Sequence, residues 1–165
     1  MIEVRNLTKK YGNTKVVDNV SLNIEKGKMI SLIGPNGAGK STVLSMITRL
    51  MDMDEGQVII DDIELSKWDN RELSKRISIL KQANDVNLRL TIRELVEFGR
   101  FPHSQGNITE VDNEFIDKAI KYMQLEDIEH RYLDELSGGQ KQRAYIAMVI
   151  AQDTEYIFLD EPLNN

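Results

Sequence analysis

This chain of 165 residues has no cysteine, which excludes disulfides and thiolate metal sites and fits a reducing cytoplasm. It has no apolar run near the ~20 residues that a membrane-spanning helix needs. Its first residues alternate in polarity and include an acid, unlike a signal peptide. Internal repeats, low-complexity tracts and long linkers are also missing. These absences predict one soluble, globular domain, and the length is sufficient for one core.

Negative charge exceeds positive charge, and the net charge is −6 at pH 7. Residues 1–50 carry eight Lys or Arg against three Asp or Glu, whereas residues 51–165 carry thirteen against twenty-four. The acidic majority argues against a nucleic-acid-binding surface, so we expect no nucleic-acid partner. The basic first part would favour a bound anion, although ordinary solvated charge is the simpler interpretation for most of these side chains.

The hydrophobic spacing predicts an α/β protein. Alternation of apolar and polar residues predicts half-buried strands at 2–7, 16–24 and 57–65. We expect the strand at 57–65 to pair with the other two. Short apolar runs predict further strands, the first and last of them buried: 28–33, 77–80 and 156–159. Helical spacing predicts the helices 41–50, 71–76, 91–98, 112–124 and 138–151, so that a mainly helical region covers residues 83–151.

A glycine-rich loop joins the predicted strand at 28–33 to the helix at 41–50, and residues 34–41 are called the phosphate loop below. Glycines let a backbone turn so tightly that several N–H groups point at one anion, and the following helix adds its positive end. The lysine of such a loop reaches the β- and γ-phosphates, and the next hydroxyl can ligate Mg²⁺. A glycine turn beside a surface lysine is the alternative. The candidate phosphate ligands are Gly34, Pro35, Asn36, Gly37, Ala38, Gly39, Lys40, Ser41 and Thr42.

Two acids end the apolar strand at 156–159. A carboxylate such as Asp160 at the end of a buried strand needs a cation partner, and Mg²⁺, bound directly or through water, is the natural one. Glu161 follows immediately, and we expect its side chain to point in another direction. The alternative is that both acids cap the next turn, because Asp-Glu-Pro is favourable turn chemistry.

A second glycine-rich stretch opens the helix at 138–151. It consists of Ser137, Gly138, Gly139 and Gln140, called the serine–glycine segment below. A serine and two glycines at a helix start make a second anion site. The spacing of Ser137 and Gln140 also suits a capping box, so that Ser137 could be a plain helix cap without a ligand.

The phosphate loop, the serine–glycine segment and the acidic strand stand in the order typical of the ATP-binding cassette (ABC) ATPases, and the chain resembles that family over essentially its whole length. The resemblance implies a P-loop NTPase (RecA-like) core with an antiparallel β subdomain and an inserted helical subdomain at 83–151. It implies a single nucleotide-binding domain at 1–165 in which the C-terminal part of the core is missing. ATP and Mg²⁺ are the implied cofactors.

The resemblance also implies roles for single residues. Lys40, Gln82 and Glu161 correspond to catalytic residues of the family, Glu161 by orienting the attacking water and Gln82 by touching Mg²⁺ and that water. Ser41, Gln82 and Asp160 correspond to its Mg²⁺ ligands.

Tyr11 follows the first predicted strand and resembles the aromatic residue that stacks on adenine in the family. A tyrosine that merely ends a strand is the alternative. In the family, the serine–glycine segment of one subunit covers ATP held by the phosphate loop of another. The resemblance therefore implies a head-to-tail pair, expected to be a homodimer.

Residues 90–103 resemble the importers of iron–siderophore complexes, with haem and cobalamin importers as close relatives. This resemblance implies the ATPase subunit of such an importer, at the cytoplasmic face of the membrane. Its implied partners are integral-membrane permease subunits and, indirectly, a substrate-binding protein. The choice of iron rests on analogy, because other subunits select the cargo. A soluble ABC ATPase outside transport and a non-catalytic nucleotide-binding fragment remain alternatives.

The chain stops at Asn165, whereas the family continues with a helix, a strand and a histidine that senses the γ-phosphate. In the family that strand lies between those at 28–33 and 156–159, so its absence predicts a gap with unpaired backbone groups on both sides. We therefore expect this chain to bind nucleotide but to hydrolyse it poorly.

Overall fold

The computed structural model describes residues 1–81 and 89–160, which form an α/β protein. Its strands are β1 (Ile2–Tyr11), β2 (Thr14–Ile24), β3 (Glu55–Ile60), β4 (Ile63–Glu64), β5 (Ile77–Leu80) and β6 (Tyr156–Leu159). Its helices are α1 (Lys40–Ile47), α2 (Asn70–Ser74), α3 (Ile92–Phe98), α4 (Phe101–Ser104), α5 (Glu110–Tyr122) and α6 (Gly138–Ala151). The chain divides into two compact units, Met1–Asn70 and Arg71–Asn165. In the described ranges, none of these helices combines the length and apolarity needed to span a bilayer.

The first unit is built on an antiparallel sheet with the strand order β2-β1-β3-β4. Ile2 and Val4 on β1 face the core with Val58 on β3, as their alternation predicts. The prediction that residues 57–65 pair with both of the first strands was wrong in part, since β3 pairs with β1 and not with β2. The reason is that β1 lies between the two and separates them. Helix α1 packs on β1 and β2 and contributes Met46 to the core.

The buried strand predicted at 28–33 was wrong. This segment is not part of a strand, and its Met29 and Ile33 side chains are 97% and 94% exposed. A strand needs a neighbour to pair its N–H and C=O groups, and no strand of the described residues pairs with this one. An apolar sequence without such a neighbour does not specify a strand.

The second unit combines a parallel pair of strands, β5 and β6, with a helical core. The helices predicted in this region all form, and their ends lie within two residues of the predicted ones. Helix α4 was not predicted, because four residues are too few to show a helical period. Buried side chains from α3, α5 and α6 make up the core, among them Ile92, Ile116 and Ala147.

Two contacts hold α3 and α5 to α6. Gly99 lets the end of α3 touch α6, since a Cβ at Gly99 would lie 2.1 Å from the Met148 carbonyl oxygen. The guanidinium of buried Arg100 donates to Asp112 Oδ1 and to the Ala151 carbonyl oxygen, both at 2.9 Å. Burial raises the pKa of Asp112, but hydrogen bonds from the preceding turn and the Arg100 charge outweigh that effect and lower the pKa below its ordinary value.

Candidate functional site

Two glycines in the left-handed region shape the phosphate loop. Gly37 has φ +80° and Gly39 has φ +88°, a conformation that costs other residues about 1–2 kcal/mol. Gly39 is also buried against β2. A Cβ at Gly39 would lie 2.7 Å from the Val16 carbonyl oxygen and 3.2 Å from Val17 Cγ2. The fold of the first unit therefore requires glycine at position 39, and β2 supports the loop from behind.

Helix α1 begins at Lys40, so the loop ends at the positive end of a helix. Lys40 Nζ donates to the carbonyl oxygens of Gly34 and Pro35 at 2.8 and 3.1 Å. Its ammonium group therefore lies against the inner backbone of the loop. Ser41 is exposed in the first turn of the helix. An ammonium group, a hydroxyl and a helix N-terminus on one tight loop fit a phosphate group together with its metal ion.

The other predicted phosphate ligands lie in the same loop and the same first turn. Asn36 and Ala38 are exposed, and the Ala38 N–H donates to the Pro35 carbonyl oxygen at 3.2 Å. This hydrogen bond closes the turn that precedes Gly39. Thr42 is half-buried at the start of α1. The binding roles of these residues stay predictions.

Tyr11 lies at the end of β1, next to a hairpin turn in which Gly12 has φ +58°. The Tyr11 side chain is 52% exposed, and its hydroxyl lies 3.3 Å from Met51 Sδ. An exposed ring at a strand end has one face that a planar ligand could cover. Its contact with adenine stays a prediction.

The serine–glycine segment begins α6 with the predicted capping box. Ser137 Oγ accepts from the Gln140 N–H at 3.3 Å, and Gln140 Oε1 accepts from the Ser137 N–H at 3.0 Å. Gly138 and Gly139 are exposed, and neither has a positive φ. A Cβ on either would meet nothing within 4 Å among the residues that the structure describes. Packing within this part of the chain does not require glycine at these two positions.

Asp160 directly follows β6, where the sequence placed it, and its side chain is half-buried. Its N–H donates to the Leu80 carbonyl oxygen at 2.9 Å, which holds together the carboxyl ends of β6 and β5. Gln82 and Glu161 lie outside the described residues. Their catalytic and metal-binding roles stay predictions, as does the metal-binding role of Asp160.

Sequence reasoning missed two long-range contacts near the glycine-rich segments. The Val16 carbonyl oxygen behind Gly39 is one of them. The other is the Arg89 guanidinium, whose carbon lies 4.3 Å from the centroid of the Tyr132 ring, five residues before Ser137. Both contacts join residues far apart in sequence, so no local spacing reveals them.

The chain is similar to known proteins over most of its length. Residues 17–164 match the family described as ABC transporter. The whole chain is 61% identical to the petrobactin import ATP-binding protein YclP of Bacillus subtilis (strain 168) and 52% identical to the petrobactin import ATP-binding protein FatE of Bacillus anthracis. It spans 66% of the length of each, slightly less than two thirds.

A solved structure shows the same fold. It is the dimeric post-hydrolysis state of the ATP-binding cassette MJ0796 bound to ADP and Pi, which is 33% identical to the chain. The TM-score is 0.83, and the match covers 99% of this chain and 75% of the solved one. The described residues therefore adopt the fold of an ATP-binding cassette.

Proposed function

The chain belongs to the ABC transporter family, and from that premise we propose that it is the ATP-binding and ATP-hydrolysing subunit that energises an importer of iron–siderophore complexes. One observation carries the ATP part of this proposal. Gly39 turns left-handed against Val16 and leads into α1 at Lys40, whose ammonium group lies inside the loop. Such a loop is suited to phosphate. The class of cargo comes from the two petrobactin import proteins that the chain resembles.

The phosphate loop and the start of α1 would bind the β- and γ-phosphates of ATP. Lys40 would neutralise the charge that develops on the γ-phosphate oxygens during transfer to water. Ser41, Gln82 and Asp160 would hold Mg²⁺, which when bound supplies further charge neutralisation. Glu161 would orient the attacking water or accept its proton. Tyr11, with its half-exposed ring, would stack on adenine.

The serine–glycine segment would cover ATP held by a second subunit. A hydroxyl carries one donor and two acceptor sites, so Ser137 Oγ can accept from the Gln140 N–H and still donate to a phosphate oxygen. Gly138 and Gly139 are exposed at the helix start, where a ligand can approach the backbone closely. The similar cassette MJ0796 has a dimeric structure bound to ADP and Pi, which supports pairing of two subunits. We therefore propose a homodimer with two equivalent sites.

Permease subunits would be the direct membrane partners, at the cytoplasmic face, and a substrate-binding protein an indirect one. Phe98 and Phe101 are 53% and 59% exposed and provide apolar surface in the segment 90–103. The same segment resembles the siderophore importers in sequence. This surface is our candidate for the contact with the permease.

Two variants of the complete subunit test the ATPase part of the proposal. Glu161→Gln should accumulate ATP-bound dimers and lose phosphate release, because the water loses its carboxylate. Ser137→Arg should prevent dimer formation and leave the ATP affinity of the monomer unchanged. Ser66→Arg, at an exposed serine outside both motifs, is the control and should change neither property. Normal turnover by Glu161→Gln, or weaker ATP binding by monomeric Ser137→Arg, would contradict the assigned roles.

The cargo is tested separately in cells. Deletion of the gene should abolish uptake of radiolabelled ferric petrobactin, and the wild-type gene should restore it, whereas the gene with Glu161→Gln should not. Unchanged uptake after deletion would reject this cargo and leave the ATPase assignment standing.

A further inference from the structure

Two segments of the second unit pair just before the serine–glycine segment. The Ile92 N–H donates to the Arg131 carbonyl oxygen at 3.1 Å, and the Leu133 N–H donates to the Leu90 carbonyl oxygen at 2.9 Å. Thr91 and Tyr132 form an antiparallel bridge between these two bonds. Residues 89–92 and 131–133 therefore run side by side as a short two-stranded piece, and we call it the paired segment.

A cation–π contact closes one end of the paired segment. The Arg89 guanidinium carbon lies 4.3 Å from the centroid of the Tyr132 ring. Arg89 is exposed and Tyr132 is half-buried, so water weakens the contact without removing it. The planar guanidinium covers a face of the ring and restricts the χ angles of Tyr132.

The paired segment leads to Ser137 through one tight turn. The 3₁₀ turn Leu133–Glu135 follows Tyr132 directly, and the Tyr132 N–H donates to Glu135 Oε2 at 3.2 Å. Leu133 is 5% exposed and belongs to the helical core. The core contact of Leu133 and the ring contact of Tyr132 therefore both lie on the path of the chain that enters α6.

We propose that Arg89 and Tyr132 are positioning residues that hold the start of the serine–glycine segment in its capped conformation. Neither side chain needs to touch nucleotide for this role. Its consequence for ATP-driven pairing of subunits rests on the proposed function, whereas the stability of the capping turn itself can be measured on a single chain without nucleotide.

Amide hydrogen exchange at the start of α6 is the first test. The Gln140 and Lys141 N–H groups donate to Ser137 Oγ and to the Ser137 carbonyl oxygen, so their exchange rates report on the capping turn. Arg89→Ala and Tyr132→Leu should each raise these two rates about 2- to 5-fold, because an exposed cation–π contact is lost. Exchange at buried Ile120 on α5 should stay unchanged.

Conservative and matched variants separate positioning from general stability. Tyr132→Phe keeps the ring and should retain wild-type exchange rates, whereas Arg89→Lys keeps a charge but loses the planar stack and should restore them only in part. Arg131→Ala removes an exposed arginine from the paired segment without touching the Tyr132 ring contact, and it should also behave as wild type. Unchanged rates in Arg89→Ala, or equal increases in Arg131→Ala, would overturn the proposal.

ATP-driven self-association in the Glu161→Gln background of the complete subunit is the second test. Because a dimer contains two such contacts, Arg89→Ala should weaken association about 5- to 20-fold at unchanged monomer affinity for ATP. If the parent variant does not self-associate in the presence of ATP, the proposed pairing of subunits fails, while the exchange data still decide whether Arg89 and Tyr132 hold the capping turn. If the exchange rates respond but association does not, the role of Arg89 and Tyr132 in the capping turn holds and its consequence for pairing is rejected.

Discussion

The two glycine-rich segments of this chain differ in the physical reason for their glycines. Gly39 of the phosphate loop has φ +88° and a backbone oxygen 2.7 Å from where its Cβ would be. Gly138 and Gly139 have ordinary helical conformations and open space around them among the described residues. The fold of the first unit by itself explains why residue 39 is a glycine, whether or not a ligand binds. The two glycines of the serine–glycine segment call for a reason outside this part of the chain, and close approach by a ligand is such a reason.

Gly39→Ala should have the largest effect on stability. Alanine must adopt a left-handed φ and must also displace the Val16 carbonyl oxygen, which together cost about 2–4 kcal/mol. Urea unfolding measures this loss. Gly37→Ala is the matched control, since Gly37 has φ +80° but a Cβ there meets nothing within 4 Å in the described chain. Gly37→Ala should cost only the backbone part, about 1–2 kcal/mol. Equal losses in the two variants would remove the packing argument for Gly39.

Lys40→Ala should have the second-largest effect, on binding and not on folding. Its ammonium group is the charged donor of the loop, and charge-assisted hydrogen bonds of this kind correspond to about a 10- to 150-fold loss of ATP affinity. Titration calorimetry with ATP measures the change. Lys28→Ala removes the same charge from an exposed lysine outside the loop and should leave the affinity within about 2-fold of wild type. Wild-type affinity in Lys40→Ala would remove the phosphate-binding assignment.

The sequence predicted local structure well wherever the determinants are local. The capping box at Ser137 and the helix Gly138–Ala151 form as expected, because side chains within one turn decide them. The strand at 28–33 did not form, because a strand depends on a neighbour that local sequence does not supply. The position of β3 beside β1 alone was missed for the same reason.

The candidate site shows the same division. The loop around Lys40 and the cap at Ser137 follow from residue spacing, and the structure places both where the sequence indicated. The contacts that the structure adds, Val16 behind Gly39 and Arg89 on the Tyr132 ring, come from other segments that carry no motif of their own. Long-range packing of this kind becomes visible only when the chain is folded.

Gln140 distinguishes capping from ligand binding in the serine–glycine segment. Gln140→Ala removes the hydrogen bond to the Ser137 N–H and should cost about 1 kcal/mol in the free energy of unfolding. Gln140→Glu keeps a capping acceptor and should retain the stability of the wild type. The added negative charge of the glutamate should nonetheless weaken ATP-driven association, since it lies next to the proposed phosphate site. If Gln140→Glu lost as much stability as Gln140→Ala, the hydrogen bond of the capping box would not be what Gln140 contributes to stability.

Gly139→Ala should have the smallest effect on stability, and the effect should be of opposite sign to that of Gly39→Ala. Alanine is the better helix former and meets no described atom within 4 Å, so the free energy of unfolding should rise by about 0.5 kcal/mol. The same methyl group would stand between the helix start and a phosphate oxygen of the second subunit, so ATP-driven association in the Glu161→Gln background should fall about 10-fold or more. Sedimentation of the complete subunit with ATP measures the association. A variant that is more stable and associates as well as the parent would mean that neither folding nor a ligand accounts for this glycine, and the contrast with Gly39 would lose its functional meaning.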